Sequence, residues 1–154
     1  MILCRRANPD ELDAIMDLEI RTFTGEQEIP SEMNYLPDSC TPQWFCAEED
    51  GALVGAVAFF REDGVWHAGR FAIEPACRSR HIGTQLITYA FGEVFSSGIE
   101  EIIMDGRPAT VHILLKLGAV ITGEPYPFYA STCTPLRLGK TEFLKACSGC
   151  PASS

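Results

Sequence analysis

The chain has 154 residues, 46% apolar and 21% charged, with 21 acidic against 12 basic side chains and a net charge of −9. That length fits one domain with a continuous core, and the composition excludes a disordered or fibrous chain. The acidic balance argues against nucleic acid and against an anionic membrane surface. It suits a cationic partner such as an amine, although acidity that serves only solubility is the plainer reading.

No window approaches 18 uninterrupted apolar residues, and the arginines of "MILCRRANPD" follow a very short apolar run, the reverse of an export signal. The expectation is a cytoplasmic protein with no membrane span. Ile2–Ala7 reads as a first strand. Asn8-Pro9, with Asp10 and Glu11 behind it, opens a helix whose apolar face (Leu12, Ile15, Met16, Leu18, Phe23) carries it to about Thr22. The polar segment Thr24–Pro42 has three prolines and reads as a loop with a short helix, of the kind that shapes binding sites. Asp50-Gly51 and Asp63-Gly64 then separate three strands, "WFCAEE", "LVGAVAFFRE" and "VWHAGRFAI" (Val65–Ile73), into an antiparallel meander.

From Ile82 the apolar positions 82, 86, 90 and 94 recur every fourth residue up to Gly98, a helix stop. "EEIIMD" (Glu100–Asp105) is a buried strand, Pro108 starts a helix that stops at Gly118, and strands follow at Ala119–Thr122 and Phe128–Leu138. The order β-α-β-β-β-α-β-α-β-β describes a single α/β domain over residues 1–140, a mixed sheet flanked by helices. Residues 141–154 form a tail with room for a short helix before disorder. Seven scattered cysteines, an odd number without an export signal, do not make a disulfide framework. Cys147 and Cys150 form one CxxC pair without a second, so no metal is expected; a redox or metal role is the alternative to a loose tail.

"CRSRHIGTQL" (Cys77–Leu86) gathers cations at a helix start in an otherwise acidic chain. The first amides of a helix lack intrahelical partners and the helix dipole adds positive charge, so this loop suits phosphate. Ser79 to Thr84 supply the amides, Gly83 permits close approach, and Arg78 and Arg80 add ionic contacts. Neither GxxxxGK[ST] nor GxGxxG is present. The segment "FAIEPACRSRHIGTQLI" resembles instead the acyl-CoA pyrophosphate loop of the GNAT superfamily of N-acyltransferases, in which a strand and a Pro precede Arg/Gln-x-x-Gly-x-Gly/Ala. Phe71-Ala72-Ile73, Pro75, Arg78 and Gly83 fall in register; His81 replaces the first glycine. The element order is also the family's, and Gly118 of "LLKLGA" matches its Tyr-x-x-x-Gly-Phe, with Leu114 in place of the tyrosine and Arg107 where asparagine is common.

The resemblance implies a GNAT-like fold with a mixed, mostly antiparallel sheet, and transfer of an acyl group, in the first instance acetyl from acetyl-CoA, to a primary amine. It implies a pyrophosphate on the amides of Ser79, Arg80, His81, Ile82, Gly83 and Thr84, and pantetheine along the backbone of Phe71, Ala72 and Ile73, with the Ile73 N–H polarising the thioester. His67 matches the position of the glutamate base in the histone-acetyltransferase branch, and an unperturbed imidazole titrates in the useful range. An inert strand histidine is the alternative. Glu74 is a rival base and His112 a solvent-facing one. Leu114 cannot donate a proton to the leaving thiolate, so Tyr129 and Tyr126 are candidates to do so from another direction, unless they only pack; a solvated thiolate needs no acid. Cys133 has no evident His partner for an acyl-enzyme. Glu26, Glu28, Glu32 and Asp38, with Tyr35 and Trp44, could attract an ammonium or simply be a solvated acidic loop. The acceptor, a small molecule or a peptide amine, stays open, as does assembly, a homodimer included. A non-catalytic acyl-CoA-binding regulator of the same fold is the rival function.

Overall fold

In the computed structural model, residues 1–24, 36–78 and 81–148 are described. Strand β1 (Ile2–Arg6) leads through a 3-10 turn (Pro9–Glu11) into α1 (Leu12–Glu19), which loosens into a π-type turn at Ile20–Thr24. Then come β2 (Gln43–Glu49), β3 (Ala52–Glu62), β4 (Val65–Ile73), α2 (Ile82–Ser96), β5 (Glu101–Gly106), α3 (Pro108–Lys116), β6 (Val120–Ile121), β7 (Tyr126–Phe128), β8 (Ser131–Gly139) and α4 (Lys140–Ser148). The strands form one mixed sheet in the order β1-β2-β3-β4-β5-β8-β6, with β7 paired to β8. Every pairing is antiparallel except β4 with β5, which α2 joins as a crossover.

Both hairpin turns of the meander place an aspartate and a glycine at positive φ, 52° and 85° at Asp50-Gly51 and 52° and 78° at Asp63-Gly64. That is the backbone a two-residue hairpin with right-handed strand twist requires. Strand β3 reads as a nearly unbroken apolar run because both of its faces are covered. Val57 and Phe59 join Leu86, Phe91 and Phe95 of α2 in the main core, while Ala56 meets Ile15 and Leu18 of α1 on the opposite face. Edge-to-face rings hold the main core together: Phe45 on Phe59 at 5.6 Å and Phe59 on Phe91 at 5.0 Å. Phe143 of α4 is buried against Phe95 at 5.3 Å, so this helix closes the same core.

The sequence treats Phe128–Leu138 as one strand, but the chain turns at Tyr129-Ala130 and returns as β8. Tyr129 sits at φ 51°, a conformation for which no glycine or asparagine announces the turn. The acidic loop residues Glu26, Glu28, Glu32 and Tyr35 lie outside the described residues, as do Ser79, Arg80 and Cys150. No helix among the described residues is long and apolar enough to cross a membrane.

Candidate active site

The parallel strands β4 and β5 pair only at His67 with Ile103 and Ala68 with Met104. Beyond those residues β4 runs on to Ile73 and β5 to Gly106 with no pairing between them, which leaves a fork in the middle of the sheet. A bulge in β4 marks its start: Ala58 faces Gly69 but Ala56 faces Ala72, so Val57 spans both Arg70 and Phe71. Arg70 takes the extra residue's place at φ 56°.

The Glu74 N–H bonds the Val54 carbonyl at 2.8 Å, so in the alternating ladder Ile73 and Phe71 turn their N–H and C=O groups away from β3, into the fork. Two guanidiniums meet the exposed carbonyls: Arg107 Nη2 donates to Phe71 O at 3.2 Å and Arg78 Nε to Ile73 O at 3.3 Å. The fork thus presents an open strand edge whose backbone groups are available for exchange with a strand-like ligand.

On the outer side of the fork, a cavity of about 440 Å³ is lined by Phe71, Ile73, Arg78, Arg107, Thr110 and the first residues of α2. The helix begins with His81 in the left-handed conformation (φ 62°), and the first intrahelical bond runs from the Gln85 N–H to His81 O at 3.1 Å. The amides of Ile82, Gly83 and Thr84 are therefore the unpaired first turn, at the cavity wall. Gly83 also lets Phe71 pack close: a Cβ would stand 2.9 Å from Phe71 Cζ, so the ring would have to shift.

On the inner side, a cavity of about 280 Å³ shares Phe71, Arg107 and Thr110 with the first and is otherwise lined by Phe60, His67, Arg70, Met104, Asp105, Leu114, Tyr126, Phe128 and Cys133 among others. His67 is three-quarters buried, stacked flat on Phe60 at 5.4 Å, with Nε2 at 3.9 Å from Glu62. Tyr126 donates its phenol proton to Asp105; burial and that carboxylate's charge push it up to about 12, so it stays protonated at neutral pH. Burial also raises the Cys133 thiol, which disfavours its nucleophilic form. Leu114 is buried in the wall.

Tyr129, the sequence's candidate acid, is half exposed, packs edge-on against Phe128 at 4.8 Å and lies outside the lining of both cavities. Glu74 is held by Arg21 at 2.8 Å rather than facing solvent alone. His112 is exposed on α3. Ala72 is buried, and His81, Ile82, Gly83, Thr84, Phe71, Ile73 and Arg78 come together around the outer cavity.

Sequence reasoning passes over one cluster altogether. Among the described residues, the buried side-chain polar atoms with no hydrogen-bond partner are both carboxyl oxygens of Glu19, the Thr22 hydroxyl and Arg70 Nε. All belong to α1, its π-type turn and the β4 bulge, which pack on one another. Burial holds the Glu19 carboxyl well above the usual carboxylate range, against the opposing pull of Arg70 and Arg107. The signal was in the periodicity: Glu19 and Thr22 stand four and seven residues after Ile15, on the apolar face of the helix.

The chain matches the sequence profile of the Acetyltransferase (GNAT) family over residues 12–119. No match was found among curated protein sequences. Among solved structures, it superposes on FeeM, an N-acyl amino acid synthase from uncultured soil microbes, with a TM-score of 0.77 at 13% identity, covering 95% of this chain and 94% of that one. An acyl-CoA N-acyltransferase from Pseudomonas aeruginosa gives 0.72 at 18% identity, over 89% and 97% of the two chains. The spermidine N-acetyltransferase from Vibrio cholerae, solved with CoA and spermine, gives 0.68 at 15% identity, over 93% and 98%.

Proposed function

Because the chain belongs to the GNAT family of acetyltransferases, we propose that it transfers an acyl group, acetyl in the first instance, from acyl-CoA to a primary amine by direct attack on the thioester. The observation that carries this reading is the fork itself: an open β4 edge that joins an amide-lined outer cavity to an inner one lined by His67, Arg70 and Arg107.

The pyrophosphate would lie on the amides of Ile82, Gly83 and Thr84, with Arg78 as counter-charge. Ser79 and Arg80 complete that loop by resemblance. Pantetheine would take over the fork-facing groups of Phe71 and Ile73, displacing the guanidinium contacts of Arg107 and Arg78. The resemblance gives the thioester carbonyl to the Ile73 N–H. Phe71 is the better donor, since it lines both cavities whereas Ile73 lines only the outer one. His67, at the closed end of the fork, would take the ammonium proton from the acceptor. A proton donor for the thiolate is not required, because a free thiol has a pKa of roughly 8.5; Tyr126, whose proton is committed to Asp105, is the nearest phenol to the cavity, and Tyr129 would need to move to serve.

Leu114 in the cavity wall favours a second reading, a non-catalytic acyl-CoA sensor. Turnover decides between them. Acetylated product would be followed by mass spectrometry over a panel of amines, since seven cysteines would consume a thiol reagent. His67→Ala should lower kcat at least tenfold with little change in acetyl-CoA affinity. Full activity in that variant removes His67 from the mechanism, and absence of turnover with retained acetyl-CoA binding favours the sensor.

A further inference from the structure

Among the described residues, the inner cavity has a charge balance opposite to that of the whole chain. Two guanidiniums, Arg70 and Arg107, line it there against one carboxylate, Asp105, which already accepts the Tyr126 phenol. Arg107 is engaged at Phe71 O. Arg70 differs from the arginines that hold carboxylates in this chain, Arg5, Arg21 and Arg137, because no carboxylate lies within ion-pair distance of it among the described residues. Its Nε is buried without a hydrogen-bond partner.

Three features fix where that guanidinium stands. The bulge gives Arg70 a left-handed backbone in mid-strand and places it in the cavity wall. Its Cζ lies 5.7 Å from the centre of the Phe60 ring, so the side chain rests on an aromatic face. The carboxyls that act on it electrostatically are Glu19 and Glu62. Glu62 is more than half exposed and screened by solvent, and burial keeps Glu19 in its uncharged form well above the usual carboxylate range. A partly desolvated guanidinium, pre-positioned on an aromatic ring and with no counter-ion among the described residues, is matched in shape and charge by a planar carboxylate.

We propose that Arg70 forms an acceptor subsite for a carboxylate, so that the preferred amine is amino-acid-like, carrying an ammonium and a carboxylate on the same small molecule. This rests on the acyl-transfer reading above and names the substrate class for it. Arg70 binds and orients the acceptor's carboxylate, while the amine points toward the fork, where the acyl group would arrive. No bond to Arg70 forms or breaks.

The test is a matched comparison on the full-length protein with saturating acetyl-CoA, using leucine, phenylalanine and methionine against their carboxamides. The ratio of kcat/KM for acid over amide should be at least tenfold in the native protein, and should fall toward one in Arg70→Met, with the loss in KM. Arg70→Lys should recover only part of the ratio, since a lysine gives charge without the planar fork. The same comparison is made without turnover by titrating N-acetyl-leucine and N-acetyl-leucinamide into the CoA-saturated protein, with circular dichroism to check that each variant is folded. An acid preference that vanishes in the folded Arg70→Met variant supports the subsite. Equal handling of acid and amide by the native protein, or an acid preference that survives Arg70→Met, overturns it while leaving acyl transfer intact. Failure of acetyl-CoA itself to bind overturns the acyl-transfer reading, and this inference with it.

Discussion

Replacing Glu19 by methionine should make the protein more stable. The carboxyl is 0% exposed, neither oxygen has a hydrogen-bond partner, and burial holds it in the protonated form well above its usual range. Methionine fills a similar volume and leaves no polar atom to satisfy. A buried polar group without a partner costs about 1–3 kcal/mol, and each kcal/mol moves Tm by roughly 2–4 °C in a chain of this size. The expected gain is therefore roughly 2–12 °C. It should depend on pH in a defined sense. The native carboxyl keeps its proton to a higher pH than the unfolded chain, which releases it near the ordinary glutamate value of 4.5. Native stability accordingly falls as pH rises from that value through the folded pKa, and Glu19→Met lacks this decline. Thermal unfolding between about pH 5 and pH 8 should show the smallest gain at the acid end and the largest at the basic end. A variant less stable than the native protein at every pH would refute the reasoning, because it would mean that Glu19 is ionised and holds Arg70.

Acid should act on a different group. Arg5 bonds Glu11 and Glu48 at 2.7 Å each, and Glu11 is pulled down to about 2 by that guanidinium and by the Asn8 N–H. Its contribution is present above the unfolded value of 4.5 and lost as pH falls from there through about 2, so Arg5→Met should cost about 1–2 kcal/mol at neutral pH and only a small part of that at pH 2 by urea titration. His81 occupies a left-handed position at φ 62°, where a side chain costs about 1 kcal/mol relative to glycine. His81→Gly should raise Tm by a few degrees; a fall would mean that the imidazole itself holds the loop. In Gly83→Ala the new methyl meets Phe71 Cζ at 2.9 Å, an overpacking worth about 1–3 kcal/mol. Because Phe71 lines both cavities, acetyl-CoA affinity measured by calorimetry should fall at least tenfold. Unchanged affinity would separate Phe71 from the binding surface.

Much of the fold is legible in the sequence, and the exceptions have physical causes. The Asp-Gly turns, the four-residue spacing of α2 and the Pro108 start of α3 are local signals, and the elements stand where those signals put them. The hairpin at Tyr129 was hidden because a tyrosine occupies its left-handed position. The start of α2 at Ile82 was readable because the apolar spacing that defines the helix begins there. The β4 bulge is not local: it appears only when β3 is paired against β4, and it is what turns Arg70 into the cavity wall. Glu19 and Thr22 could have been noticed as polar residues on an apolar helix face, but which strand they meet is a tertiary fact.

The central claim is that the fork and the first turn of α2 bind acyl-CoA. Calorimetric titration of the purified protein with acetyl-CoA, with free CoA in parallel, tests it most directly. Saturable one-to-one binding of acetyl-CoA, weakened in Gly83→Ala, is the predicted result. Absence of binding by acetyl-CoA, by CoA and by longer acyl-CoAs, in protein shown to be folded, would contradict it.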